Sequence, residues 1–461
     1  MQFLKQRLLL AALACVTLMT ACKKDVEREE EAEPPATPPP SAARDAVKDT
    51  VLGYSRDIYL WYTQIPNSFD AQSYSDPNKI MTALRQYSNE TGFTKPVDRW
   101  SFAIDQKAWD NASSGIAGDM GLGVFFNKED DLRVKSVEEQ SPAGRAGVRR
   151  GWRITKINGN TNMSTANSEF IVNNVFLSNS SSFTFVKPNN SSVDITLNAA
   201  TYREQPVMLD TVYNISNKKI GYFVFNSFLG DTTQVYNEFS RMFSSFASQN
   251  ISDLVVDLRY NGGGYLSIQE KLANYLAPAA ANGNVMLKQE FNNKYGDRLN
   301  STEYYKKLGS LNLNRIFFIV SEATASASEL IINNLKPYMD VILLGPSNTY
   351  GKPVGYFPIP VGSWYIFPVS FRTTNQKGEG AYFGGIPVAH KVADGLDKDW
   401  GDVGEASLAS AIRYITTGKF TGGVRSRDED AQYRLSPVVQ EGNATLDRPN
   451  FKGTVDARNL R

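Results

Sequence analysis

Ile316-Phe-Phe-Ile-Val320, then Ser321-Glu-Ala-Thr-Ala-Ser-Ala-Ser-Glu329, then a helical run to Leu335: this stretch decides the fold. Five consecutive apolar residues, β-branched or aromatic, read as a buried strand closed by a short polar loop. Ser326 stands where the loop turns into the helix. The same strand-then-helix pattern recurs on either side. Residues 220–225, 254–258 and 341–344 are apolar strand candidates, with helical patterns at 233–247 and 268–276. Such alternation predicts an α/β layer domain with much parallel sheet over 201–425.

A serine at a helix start can be an N-cap and nothing more. A helix mouth also offers unpaired N–H groups and a positive dipole end, which suit a developing oxyanion. The Ala327 amide is then the natural first donor. A second donor can come from Asp257-Leu-Arg-Tyr-Asn-Gly-Gly-Gly264, directly after a strand candidate. Three successive glycines are costly in conformational entropy and read as a tight backbone requirement at Gly262 and Gly263, a flexible turn being the other reading.

The base is found by elimination. His390 is the only histidine and reads as a lone surface residue, so an imidazole triad is nearly excluded. Thr349-Tyr-Gly-Lys-Pro353 instead offers Lys352, 26 residues after Ser326. An ordinary lysine has a pKa of about 10.4 and is protonated at neutral pH. An apolar pocket disfavours the ammonium, and Leu343, Leu344, Tyr350, Val354 and Tyr356 are apolar neighbours in sequence. Arginine could not lose the proton. The run from Gly345 to Lys352 looks like a phosphate-binding loop, but it has one residue too many between glycines and proline where Ser or Thr is required.

The chain has 461 residues, 41% of them hydrophobic, enough for two to four domains. Lys and Arg number 49 against 48 acidic residues, so no global basic field recruits nucleic acid. With no Cys-x-x-Cys and no histidine cluster, metal-free chemistry without a cofactor is the expectation. Residues 1–22 read as a targeting segment: Lys5 and Arg7, an apolar run over 8–20 too short to span a bilayer, then Leu18-Met-Thr-Ala-Cys22. This resembles a bacterial lipobox, with Cys22 the lipidated first residue of the mature chain. Residues 23–43, acidic and then proline-rich, read as an extended, disordered tether.

Residues 44–104 carry a helical pattern, with Val47, Val51, Tyr54, Ile58 and the aromatics Trp61 and Tyr62 read as core and a second helix expected near 79–88. Residues 105–200 read as short strands and glycine turns. Gly121-Leu-Gly-Val124, Ser141-Pro-Ala and Gly151-Trp-Arg-Ile-Thr-Lys-Ile-Asn-Gly159 together resemble a PDZ domain. There the amides of Gly121, Leu122, Gly123 and Val124 would wrap a peptide's terminal carboxylate, and the strand edge beside them would take the peptide as an added strand. The polar tail from 426 to 461 reads as partly ordered.

Asp-Leu-Arg-x-Asn-Gly-Gly-Gly, Thr-Ala-Ser-Ala-Ser-Glu and Gly-Lys after an apolar strand, behind a PDZ-like segment, resemble the carboxy-terminal processing (tail-specific) proteases over about 105–395. The leader and Tyr59-Leu-Trp-Tyr…Asp98-Arg-Trp-Ser resemble a Bacteroidetes lipoprotein branch. The resemblance implies a crotonase-like, ClpP-like α/β core with a PDZ β-domain and an N-terminal helical segment. It implies Ser326 as nucleophile, Lys352 as general base, and Ala327 with Gly262 or Gly263 as oxyanion hole. The expected function is a serine endopeptidase of the cell envelope, lipid-anchored at the outer membrane on its periplasmic or surface face. Its partners would be proteins with exposed C-termini, and its only membrane contact the lipid anchor. A catalytically inactive peptide-binding scaffold is the rival reading, and a solute- or glycan-binding lipoprotein a third. Pro337, Pro353 and Tyr356 depart from residues found in some members, which leaves open what orients Lys352. Ser328 is the second candidate nucleophile, and Glu329 is expected to make a structural hydrogen bond.

Overall fold

The computed structural model describes residues 44–420, 435–446 and 451–457. The leader, the tether and Cys22 lie outside the described residues.

The strand candidates form one six-stranded sheet in the order His390–Lys391, Asp340–Gly345, Arg315–Ile319, Asp253–Asp257, Lys218–Phe225, Val207–Ile215. All neighbours are parallel except the last pair, which is antiparallel. Parallel strands covered on both faces must be apolar on both, and these are. Ile316, Phe318 and Val320 pack with Phe239, Phe243, Leu272 and Ile331 from the helices Thr232–Ser248, Leu266–Leu276 and Ala327–Leu335. Phe317 and Ile319 pack on the other face with Leu408 and Ile412 of the helix Ala406–Thr417. Because three parallel strands share one direction, the loops leaving their carboxyl ends (258–262, 320–326 and 346–352) open at one edge, where ligands of such sheets bind. The three stretches singled out in the sequence are those three loops.

A second six-stranded sheet, not expected from the sequence, runs Gly263–Tyr265, Gly453–Val455, Val354–Tyr356, Val369–Thr374, Val285–Phe291, Ser301–Tyr304. The N-terminal helices pack on it. Ala46–Ile58 is capped by Asp45 and Pro77–Leu84 by Asp76, with Pro77 at its first position. Val51, Ile80, Met81, Trp61 and Trp100 share one core with Val354, Tyr356, Phe367 and Phe371. Residues 44–104 are therefore built into the protein through a common core.

Residues 122–198 form a five-stranded antiparallel sheet whose edge strand is Leu122–Lys128. The polar reading of the tail needs correction. Residues 437–446 are helical and bury Val439 and Leu446 in the core of this sheet, and 453–455 is a strand inside the second sheet. Apolar residues spaced among polar ones hid both. His390 is likewise buried, stacked on Phe420 with ring centroids 4.3 Å apart. It sits on the sheet edge strand that pairs with Asp340–Gly345.

Phe318→Ala, which empties the centre of the main core, should cost about 3–5 kcal/mol. Leu177→Ala, at a largely exposed side chain, should cost under about 0.5 kcal/mol. Denaturant unfolding followed by tryptophan fluorescence measures both.

Candidate active site

Ser326 caps the helix Ala327–Leu335 with φ 59° and ψ −109°, a backbone conformation rarely adopted by a residue with a side chain. Such strain persists only where the surroundings over-determine it. Here the Ser326 amide donates to Glu329 Oε2 at 2.8 Å, and the Ser326 carbonyl accepts from the Leu330 amide at 2.7 Å. The Ser326 hydroxyl lies 2.6 Å from Thr454 Oγ1. Ser328 is spent elsewhere, its hydroxyl donating to the Asn261 carbonyl at 3.0 Å.

Glu329 is fully buried and joins two loops. Its Oε2 also accepts from the Lys352 amide at 2.8 Å, while Oε1 accepts from the Gly351 amide and the Thr349 hydroxyl, both at 2.6 Å. Thr349 Oγ1 itself accepts from the Ile386 amide, so its proton is directed at the carboxylate. The backbones of Ser326 and Lys352 thus hang on one oxygen atom. Burial pushes the Glu329 carboxyl up from its ordinary value, and the four donors pull it back.

Lys352 is buried, and desolvation pushes its amine well below the ordinary lysine range against the pull of Asp98 and Glu329. Nζ sits 3.5 Å from the centroid of the Tyr356 ring and 5.8 Å from that of Trp100. It donates to the Lys452 carbonyl at 3.2 Å. Tyr356 is therefore the group against which the amine rests. Its hydroxyl donates to the carbonyls of Trp100 and Lys452 at 3.3 and 3.1 Å. Asp98, held by the Tyr59 hydroxyl and by the amides of Trp100 and Ser101, adds the nearest charge from the N-terminal segment.

The glycine loop closes the other side. Gly263 has φ 104°, and a β-carbon there would stand 2.5 Å from the Gly453 carbonyl oxygen and 3.1 Å from the Ala327 amide nitrogen. One on Gly262 would meet the Phe451 carbonyl oxygen at 2.0 Å. The tight requirement read from the sequence is real, and it brings Gly262, Gly263 and Ala327 to the same spot as Ser326. Asn261 holds the turn, donating to the Phe225 carbonyl at 2.9 Å and accepting from the Gly263 amide at 2.9 Å.

Leu122, Gly123 and Val124 lie in the five-stranded sheet and Gly121 directly precedes it, outside this cluster. Leu122 and Val124 point into its core. A buried charge network connects the two regions. Arg150 donates to the Lys135 carbonyl (2.6 Å), to Asp394 (2.6 Å) and to the Tyr260 hydroxyl (2.9 Å). Arg259, inside the glycine-loop motif, pairs with Asp257, Asp394 and Glu405 at 2.7, 2.7 and 2.9 Å. Trp400 covers both guanidinium groups. Asp98, Trp100, Asp394 and Glu405 were not singled out individually as site residues. Asp98 and Trp100 do fall within the quoted Asp-Arg-Trp-Ser, but no spacing rule ties 394 or 405 to 259.

A strained serine at a helix mouth, a buried lysine on the next loop and parallel strand ends opening on both place this chain among α/β proteins of the serine-nucleophile class. Residues 219–384 match Peptidase family S41 and residues 46–102 match the Peptidase S41 N-terminal domain. A Staphylococcus aureus protein named "Probable CtpA-like serine protease" is 26% identical over 259 residues, which cover 56% of this chain and 49% of that one. A namesake from Staphylococcus saprophyticus is 25% identical, covering 57% and 51%. The chain thus spans about half the length of these relatives. The crystal structure of a "Putative S41 protease" from Bacteroides fragilis superposes with a TM-score of 0.65 at 22% identity, covering 82% of this chain and 99% of that one. That likeness establishes the fold.

Glu329→Gln places an amide NH2 against donor groups. It should slow labelling of Ser326 by a fluorophosphonate at least about 10²-fold, the usual effect of an ångström-scale misplacement. Labelling should also rise with pH as the free amine of Lys352 forms, levelling off below the roughly 10.4 of an ordinary lysine. Lys352→Arg should show no rising limb.

Proposed function

We propose that this chain is a serine endopeptidase of the cell envelope that works through a Ser326–Lys352 dyad. The observation that carries the reading is the shared Glu329 oxygen, which ties the backbone of a strained serine to that of a lysine whose amine burial pushes below the ordinary range. The Lys352 amine takes the Ser326 proton as Oγ attacks the scissile carbonyl carbon. The Ala327 amide and the Gly262 amide receive the charge that develops on the carbonyl oxygen, the Gly263 amide being held by Asn261. The resulting ammonium returns the proton to the leaving amine as the C–N bond breaks. Water, deprotonated by the same lysine, then hydrolyses the acyl ester and frees Ser326.

Substrates are proteins with exposed C-termini. The 121–124 loop, read as PDZ-like, captures the terminal carboxylate and presents the chain to Ser326. Capture gates activity as well as anchoring substrate, through the Arg150–Asp394–Arg259 network that ends in the glycine loop. Cys22 anchors the protein to lipid at the outer membrane.

The full chain should cleave an unstructured protein, with products identified by mass spectrometry. Ser326→Ala and Lys352→Ala should each lose at least about 10⁴-fold in rate without a change in melting temperature. Equal cleavage by all three would overturn the dyad. Tail-peptide binding with no cleavage by wild type would favour the inactive scaffold. Amidation of the substrate's C-terminus should raise KM with little change in kcat if the 121–124 loop reads the carboxylate.

A further inference from the structure

Residues 435–446 and 451–457 occupy the two places that the proposed function assigns to a substrate. On the five-stranded sheet, Leu122–Lys128 is an edge, and an edge strand presents unpaired N–H and C=O groups to a partner. The Pro437–Leu446 helix covers it. The Asn443 side chain accepts from the Phe126 amide at 2.7 Å and donates to the Phe126 carbonyl at 3.0 Å. That is the pair of bonds an added strand would make, delivered by one side-chain amide. Val439 and Leu446 are sunk into the same core, and Gly442 lies so close to Phe126 and Thr165 that a β-carbon would stand about 3 Å from both.

Only four residues further on, 451–457 lies in the catalytic cleft. Gly453–Val455 is a strand between Gly263–Tyr265 and Val354–Tyr356, parallel to both, with the Gly453 amide donating to the Gly262 carbonyl at 2.9 Å. A β-carbon on Gly263 would stand 2.5 Å from the Gly453 carbonyl oxygen and 3.1 Å from the Ala327 amide nitrogen, so the segment runs next to the place where the oxyanion is expected. The Ser326 hydroxyl is hydrogen-bonded to Thr454, and the Lys352 amine to the Lys452 carbonyl. Nucleophile and base are each engaged by this segment in place of one another. A strand serving only to complete a sheet has no reason to take up the nucleophile and the base together.

The geometry points to residues 435–446 and 451–457 as an intramolecular ligand whose two parts fill the capture groove and the catalytic cleft and hold the peptidase closed until they are displaced. This rests on the proposed function for the meaning of the two grooves. A tethered ligand acts at an effective concentration of roughly millimolar. A free substrate tail at micromolar concentration competes poorly unless it engages both grooves in turn. The segment is held uncut because the Ser326 hydroxyl is paired with the Thr454 hydroxyl and the Lys352 amine with the Lys452 carbonyl.

Gly453→Val in the full chain tests this, because a β-carbon at 453 would lie 2.6 Å from the Tyr356 ring and 2.5 Å from the Phe451 ring and should expel the strand. Neither 453 nor 443 belongs to the catalytic machinery. The expected result is cleavage of an unstructured protein at least about 10-fold faster than wild type, returned to the wild-type rate by a synthetic 435–457 peptide. Asn443→Ala, a milder change, should raise the rate less and speed hydrogen exchange at the Phe126 amide. Unchanged or slower cleavage by both folded variants, with no effect of the peptide, would overturn the inference. If no form of the protein cleaves, hydrogen exchange decides separately. Faster exchange at 262–265 in Gly453→Val and at 126 in Asn443→Ala upholds a displaceable segment while the peptidase reading falls. Wild-type exchange at both sites overturns the inference itself.

Discussion

One buried carboxylate organises the site. Glu329 accepts from the amides of Ser326, Gly351 and Lys352 and from the Thr349 hydroxyl. A carboxylate has enough lone pairs for four such bonds, and only the ionised form can accept them all. Desolvation raises the carboxyl from its ordinary value, and the donors of the loops it organises oppose that rise. The dependence is mutual. Without the carboxylate the Ser326 amide loses the partner that offsets its positive φ, and without those amides the carboxylate is an uncompensated charge in the core.

The lysine illustrates the opposite use of burial. Nothing acidic touches Nζ directly; it rests on the face of Tyr356 with Trp100 beyond. Asp98 and Glu329 act from a distance and keep the shift from running further. Burial away from water lowers the affinity for a proton, and remote carboxylates trim the effect. Trp100 and Asp98 come from the N-terminal segment, which shares its core with the strand carrying Tyr356. The basicity of the amine therefore depends on helices more than 250 residues away in sequence.

The sequence was most legible where chemistry and periodicity coincided. The strands at 220–225, 254–258, 316–320 and 341–344 appear within two residues of expectation, because strands buried on both faces leave unbroken apolar runs. The helices at 233–247 and 268–276 are equally clear. Ser326, Lys352, Ala327 and the paired glycines come together because each sits on a loop at the same end of parallel strands. The second sheet was not legible, since its strands of three to seven residues come from distant parts of the chain and pair in an order no local pattern encodes. Arg259 stood in a quoted motif, yet its partners Asp394 and Glu405 are joined to it only by the fold. The helix at 437–446 and the strand at 453–455 were not legible because Val439, Leu446 and Val455 lie among polar residues without a sustained period.

The position of Gly453–Val455 in the second sheet has a mechanical consequence. It is an inner strand, bonded to Gly263–Tyr265 on one side and Val354–Tyr356 on the other. When it leaves, the sheet is cut in two and a pair of bare edges face each other across a slot one strand wide. Such a slot accepts any chain able to lie extended with an N–H opposite Gly262 and nothing bulky opposite Tyr356, whatever its other side chains. It is at the same moment an adhesive surface, open to the unfolded strands of any neighbour. Keeping the slot filled protects the solubility of the protein, quite apart from what it does to the chemistry.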